Sequence, residues 1–302
     1  MIWMTWRQHR SAVAVGAVVF AVLAGALVWL GATARSSARR YGLASCVRSG
    51  TDCTAAIGHL QHQYHWVPPV AASLFALPLL AGMFWGAPLV AREIETGTFR
   101  LAWTQSVSRL RWISSKLALA LTATAVATAA FSLLAVWAFQ PLIPVLGNRF
   151  RGGWFDAQGI VPAAYTVFAL TLGIAMGALW RKTIPAMAAT MIGFAIVRIP
   201  IHNLRRHLIA ANAKTIAAVA DTRLAQRPWP AGLGPGDWVL SRTPTGAPTS
   251  GPPTNGPPAA TYHYIPAARF WTLQGIEAAI FLALSAALIA LCITVVTRSR
   301  PH

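Results

Sequence analysis

Only seven aspartate and glutamate side chains stand against 25 lysines and arginines in this 302-residue chain. Any acid–base or ligand chemistry is therefore found by following those seven. Two of them, Glu93 and Glu95, fall in "AREIETGTFRLAWTQSVSRLRW" (91–112), directly behind an apolar run that ends at Val90. On a helix, residues two apart point in different directions, so the two glutamates are not a catalytic couple. The remaining carboxylates are too scattered for paired acid–base work. There is no G-x-S-x-G elbow, no H-E-x-x-H and no G-x-x-x-x-G-K-[ST] phosphate loop. The sequence predicts no catalytic residue. With no phosphate loop the chain is not expected to hydrolyse ATP alone, so energy for any driven process would be supplied by another polypeptide.

Three further groups have ligand-like spacing. His59, His62 and His65 in "GHLQHQYHW" lie three apart, so two of them share a helical face and could hold a metal. No carboxylate or thiolate completes the set, and the simpler reading is a polar pre-membrane helix with Tyr64 and Trp66 at headgroup level. No metal is expected. Cys46 and Cys53 in "CVRSGTDC" flank Gly50 and read as a disulfide in an oxidising compartment, the alternative being two free thiols. Cys292 reads as a small apolar residue. Glu277 and Arg198 lie within apolar segments, where charge is costly and suggests a role. They are expected at comparable depth and to pair, the alternative being separate snorkelling to the interface.

The elements that must position these residues follow from composition. Hydrophobic residues make up 56%, charged residues 11%, and mean hydropathy is +0.53. Soluble domains carry about 25% charged residues, so most of this chain should face lipid. The net charge of +18 fits anionic headgroups better than nucleic acid, because no basic face exists apart from the apolar runs. Six runs are close to spanning length: 12–33, 69–90, 114–138, 160–180, 184–201 and 273–297. Backbone groups in lipid need internal partners, and the periodicity is not that of a barrel, so the expected fold is an all-α six-helix membrane bundle. The first run is too long for a signal core and reads as a retained helix.

Lysine and arginine bias of the short flanks places 1–11, 91–113, 181–183 and 298–302 in the cytoplasm, with both termini inside. The external loops are then 34–68, 139–159 and 202–272. Within the last, 202–227 has helical composition, while 228–260 is rich in Pro, Gly, Ser and Thr and is expected to be irregular. Phe99, Trp103, Val107 and Leu110 form one helical stripe, with Arg100, Thr104, Ser108 and Arg111 facing away. This predicts a short amphipathic surface helix, entered through a turn at Gly97 and capped by Thr98.

"AREIETGTFRLAWTQSVSRLRWISSKL" resembles the first intracellular loop of permease subunits of ABC-2 type ABC transporters, in an actinobacterial-like subgroup. "YIPAARFWTLQGIE" (264–277) resembles a second stretch of that subgroup, entering the last helix. The resemblance implies a bacterial plasma-membrane permease that dimerises with a second copy or homologue and couples to separate ATP-binding subunits, where ATP and magnesium bind. It makes 91–112 a coupling helix on the ATPase, through Glu93, Glu95, Gly97, Thr98, Arg100, Trp103 and Arg109. "MIWMTWRQHR" matches an amphipathic N-terminal helix before the first span. The implied activity is export by alternating access or lateral release. Two readings from other classes are a non-transporting membrane sensor or immunity protein and an ion-coupled secondary transporter. The few intramembrane carboxylates argue against the latter.

Overall fold

The computed structural model describes residues 2–49, 53–97, 109–146, 149–150, 152–217, 233–234, 236–245 and 259–298. Six helical stretches are long and apolar enough to cross a membrane: Ala14–Arg40, Val67–Glu95, Leu110–Leu142, Val161–Trp180, Thr183–His207 and Ala267–Thr297. They alternate in direction. Glu95, the Arg181 turn and Arg298 share one end of the bundle, called the near end here. Arg40, Asp156, Arg205 and Ala267 share the far end.

The first span belongs to α1 (Ile2–Arg40). Residues 2–10 of the stretch that resembles an amphipathic N-terminal helix are the opening turns of this continuous helix, which meets no Gly or Pro before Gly16. The following segment is helical too, in α2 (Leu43–Ser49) and α3 (Thr54–Tyr64), joined by the Cys46–Cys53 disulfide with Cα atoms 5.6 Å apart. The second span is assembled from α4 (Val67–Ser73), α5 (Ala76–Ala81), a π-helical turn (Gly82–Gly86) and α6 (Ala87–Glu95). Pro68, Pro69, Pro78 and Pro88 explain the interruptions, since each removes a backbone donor. The third span lies in α7 (Arg109–Phe139). Two short helices, α8 (Ile143–Leu146) and α9 (Gly152–Ala157), then lead at the far end to the fourth span, α10 (Val161–Trp180).

The fourth span is the most enclosed: 72% of its apolar window is buried, against 33% or less in the others. Backbone contact with the second span makes this possible. Gly82-x-x-x-Gly86 faces Gly173-x-x-x-Gly177 in parallel register. A β-carbon on Gly82 would come within 2.4 Å of the Ala169 carbonyl oxygen, one on Gly173 within 2.2 Å of the Gly82 oxygen, and one on Gly177 within 2.6 Å of the Ala87 oxygen. Small residues four apart let membrane helices approach this closely, where dispersion and weak polar contacts replace the hydrophobic drive. Arg181 ends α10 in a left-handed conformation (φ 54°), and Lys182 turns the chain into α11 (Thr183–Leu204), which a 3-10 turn (Arg205–His207) extends. The last span is α12 (Phe270–Arg298).

The far-end segment 202–272 differs from expectation in two places. Residues 202–207 continue the fifth span, but Asn212–Ala217 form a strand, β1, rather than a helix. Trp238–Thr245, inside the stretch expected to be irregular, form β2, and Ala259–Ile265 form β3. The antiparallel sheet has the order β1-β3-β2. Alternation in "AATYHYI" suits a central strand, and Pro244 is tolerated because β2 is an edge. Asp237 secures the root of β2, its carboxylate accepting hydrogen bonds from the backbone N–H groups of Gly234 (2.8 Å) and Ala267 (2.9 Å). Trp238 stacks on Phe150 at 5.5 Å. Residues 228–232, 235 and 246–258 lie outside the described residues.

The glycine contact generates a direct test. Gly173→Ala should lower the melting temperature of the detergent-solubilised protein, at a cost of about 1–3 kcal/mol for overpacking. Gly25→Ala, where a β-carbon meets nothing within 4 Å, should leave it unchanged or slightly raised. Equal melting temperatures for wild type and Gly173→Ala would contradict the close backbone contact.

Candidate functional site: a buried charge cluster and a near-end joint

Charge is concentrated where three spans meet at the far end. Arg198, His202 and Arg205 follow one another at i, i+4 and i+7, so the fifth span and its 3-10 extension present them on one face. Opposite stand Tyr165 from α10, Glu277 from α12 and Asp156 from α9. Arg198, Arg205, Asp156, Glu277 and Tyr165 are all buried.

Glu277 is held mainly by Arg205, whose Nε donates to Oε2 at 2.9 Å and whose Nη2 lies 3.0 Å from Oε1. The Tyr165 hydroxyl donates to the same Oε1. Arg205 Nη2 also reaches Asp156 Oδ1 at 2.5 Å. Its guanidinium carbon lies 4.0 Å from the centre of the Phe155 ring. Arg198 is engaged more loosely. Its Nη1 is 3.4 Å from Glu277 Oε1. Its Nη2 lies 2.7 Å from Asp156 Oδ1 without hydrogen-bonding alignment, and its Nε has no hydrogen-bond partner among the described residues. The guanidinium carbon is 4.1 Å from the centre of the Tyr165 ring. His202 Nδ1 lies 3.7 Å from Asp156 Oδ2, with the side chain 46% exposed.

The structure thus brings Arg198 and Glu277 together, but within a larger network in which Arg205 is the stronger partner. Sequence reasoning missed Arg205, Asp156 and Tyr165, because falling hydropathy after Ile201 assigned Arg205 to a loop. The continuing i, i+4, i+7 spacing of basic residues was the available signal. Gln274, one turn before Glu277, was missed as well. Its Oε1 accepts from the N–H groups of Ile160 and Val161, both at 3.0 Å, and its Nε2 donates to the carbonyls of Phe155 and Gln158, both at 3.1 Å. It therefore fixes the start of the fourth span against the sixth.

At the near end, the other two glutamates also find partners within the chain. Glu93 is buried and pairs with Lys116 of α7. Glu95 Oε2 accepts from the Thr183 backbone N–H (3.0 Å) and hydroxyl (2.8 Å), capping the start of the fifth span. Gly97 adopts φ +73°, the turn its missing side chain permits. Thr98, Arg100 and Trp103 lie outside the described residues, as does the amphipathic stripe apart from Leu110. Arg109 begins α7. Among the described residues no group of three or more His, Cys, Asp or Glu is placed to hold a metal ion.

The geometry ranks the arginines. Removing one partner of a buried ion pair costs about 3–5 kcal/mol, because the other charge is left uncompensated. Glu277→Gln should therefore lower thermal stability strongly, and Arg205→Gln should do so more than Arg198→Gln. Combining Glu277→Gln with Arg205→Gln should recover part of the loss, since the net charge of the cluster returns to zero. Strictly additive losses in this cycle would contradict the pairing.

One known family matches. The model of the ABC-2 membrane transporter related family aligns with residues 17–206, which include most of the first span and the second to fifth spans. No curated protein and no solved structure matches the chain. The match covers more than half of the sequence, and six apolar helices of spanning length accompany it. The chain is a multi-pass membrane protein and belongs to the ABC-2 membrane transporter related family.

Proposed function

We propose that the chain is the membrane-spanning subunit of an ATP-driven exporter, that it dimerises, and that separate ATP-binding subunits drive it. The observation that carries this reading is the family match over residues 17–206. The absence of a phosphate-loop sequence in the chain is consistent with hydrolysis on a partner. In this reading the near end is cytoplasmic, in keeping with the basic residues of its short flanks. The 91–112 segment is the part that meets the ATPase.

The near-end geometry divides the roles within that segment. Glu93 and Glu95 are occupied by Lys116 and Thr183, so they anchor the root of the segment to the third and fifth spans. Contact with the partner then falls to the following residues, including Arg100 and Trp103. Movement of the segment would be delivered to the fifth span through the Glu95–Thr183 joint.

Expression in native membranes followed by affinity purification should recover a nucleotide-binding chain, with ATPase activity that depends on this protein. Purification of the protein alone, with no dependent ATPase activity, would overturn the reading. The division of roles has its own test. Trp103→Ala should reduce recovery of the ATPase severalfold. Glu95→Ala should leave recovery unchanged but lower the transport obtained per ATP hydrolysed. Loss of ATPase binding in Glu95→Ala would show that the glutamate contacts the partner directly.

A further inference from the structure

Beside the charge cluster, a cavity of about 310 Å³ opens between the start of the second span, α9 and the end of the fifth span. Ala72, Phe75 and Ile199 form an apolar wall, while Arg198, His202 and Asp156 form a polar floor. Phe75 is 42% exposed and Ile199 57% exposed on the outward faces of their spans, so the mouth lies on the lipid-facing side. Arg198 and His202 lie towards the far end of the fifth span, as Ala72 and Phe75 do in the second, so the cavity is near the end of both.

The floor has capacity of both signs left over. Arg198 Nε, on a side chain 1% exposed, has no hydrogen-bond partner among the described residues. A buried N–H left in that state is costly, so a partner is expected. Asp156 Oδ1 faces both arginines, and its Oδ2 lies 3.7 Å from the imidazole Nδ1 of His202. With His202 neutral, the cluster's two guanidiniums and two carboxylates sum to zero. A bare anion on Arg198 would leave one surplus negative charge in a poorly solvated place. A head carrying one positive and one negative group would not.

We propose that this cavity binds the zwitterionic head of a membrane phospholipid with a primary ammonium. The phosphate lies against Arg198 Nε and His202, the ammonium donates to Asp156 Oδ2, and the acyl region runs along Phe75 and Ile199. The site belongs to this chain alone and does not depend on an ATPase or on transport.

The test uses the full-length protein in nanodiscs without any ATP-binding subunit, so its outcome is independent of the exporter reading. Photoactivatable phosphatidylethanolamine and phosphatidylglycerol probes of identical acyl composition are compared, with peptide mapping of the label. The ethanolamine probe should label the peptides containing Phe75 and Ile199 at least fivefold more than the glycerol probe. Ile199→Trp, which fills the mouth from an exposed position, should remove that excess while the melting temperature stays within a degree of wild type. Equal labelling by both probes, preference for the glycerol probe, or an excess that survives Ile199→Trp would overturn the assignment. Efficient disulfide-linked dimerisation of Ile199→Cys in native membranes would overturn it as well, by showing a second copy over the mouth.

Discussion

Opposite charges buried in a poorly polarisable medium have to stay together, and the far end of this bundle is built around that constraint. Two guanidiniums, two carboxylates and a tyrosine hydroxyl come from α9, α10, the fifth span and α12. Withdrawing α9, the fifth span or α12 would strand a charge at a cost of several kcal/mol, on the order found when one partner of a buried pair is removed. Gln274 adds a neutral fastening one turn away, holding the first backbone N–H groups of the fourth span. The most enclosed helix is thus positioned by polar contacts at its start and by glycine-to-backbone contacts along its length.

From that anchor the connections can be followed to the opposite end. The fifth span carries Arg198 and Arg205 at one end and begins at Thr183, where Glu95 caps it. Glu95 ends the second span, whose Gly82 and Gly86 lie against the fourth. Glu93 reaches the third span through Lys116. The five described carboxylates, Glu93, Glu95, Asp156, Asp237 and Glu277, are all bound within the chain. In a protein with so few acids, each of these five acts as a fastener between two segments.

The same logic explains what could be read from the sequence and what could not. Six spans were legible because lipid demands long apolar helices, and hydropathy reports that demand directly. The partnership of Glu277 with an arginine was legible because intramembrane charge needs a counter-charge. Asp156 and Arg205 were not, since their polarity placed them in loops while the helix carrying Arg205 continued past its apolar stretch. The strand at 238–245 was hidden by proline- and glycine-rich surroundings, although Pro244 is harmless on an edge, and the strand at 212–217 by a stretch whose composition is helical. The facing glycines were overlooked because a hydropathy scan treats them as weakly apolar filler, whereas their function is to be small. Glu93 and Glu95 looked available for a partner because Lys116 and Thr183, distant in sequence, are brought beside them only by the bundle.

The two ends of the bundle are fastened with different strength, and this limits how it can move. Separating the fourth, fifth and sixth spans at the far end exposes several buried charges at once. At the near end, the bond between Glu95 and Thr183 is exposed, so water replaces it at little cost. Lys116 and Glu93 form a buried pair there, but they join the second span to the third and leave the fifth free of it. The near end of the fifth span is therefore tied to the second by this exposed bond and by the packing of Ala186 with Ala87 and Ala91, contacts that involve no buried charge. The close glycine contacts hold the second and fourth spans together, and the charge cluster holds the fourth, fifth and sixth at the far end, so the constraint on the bundle is heaviest at the end away from Glu95.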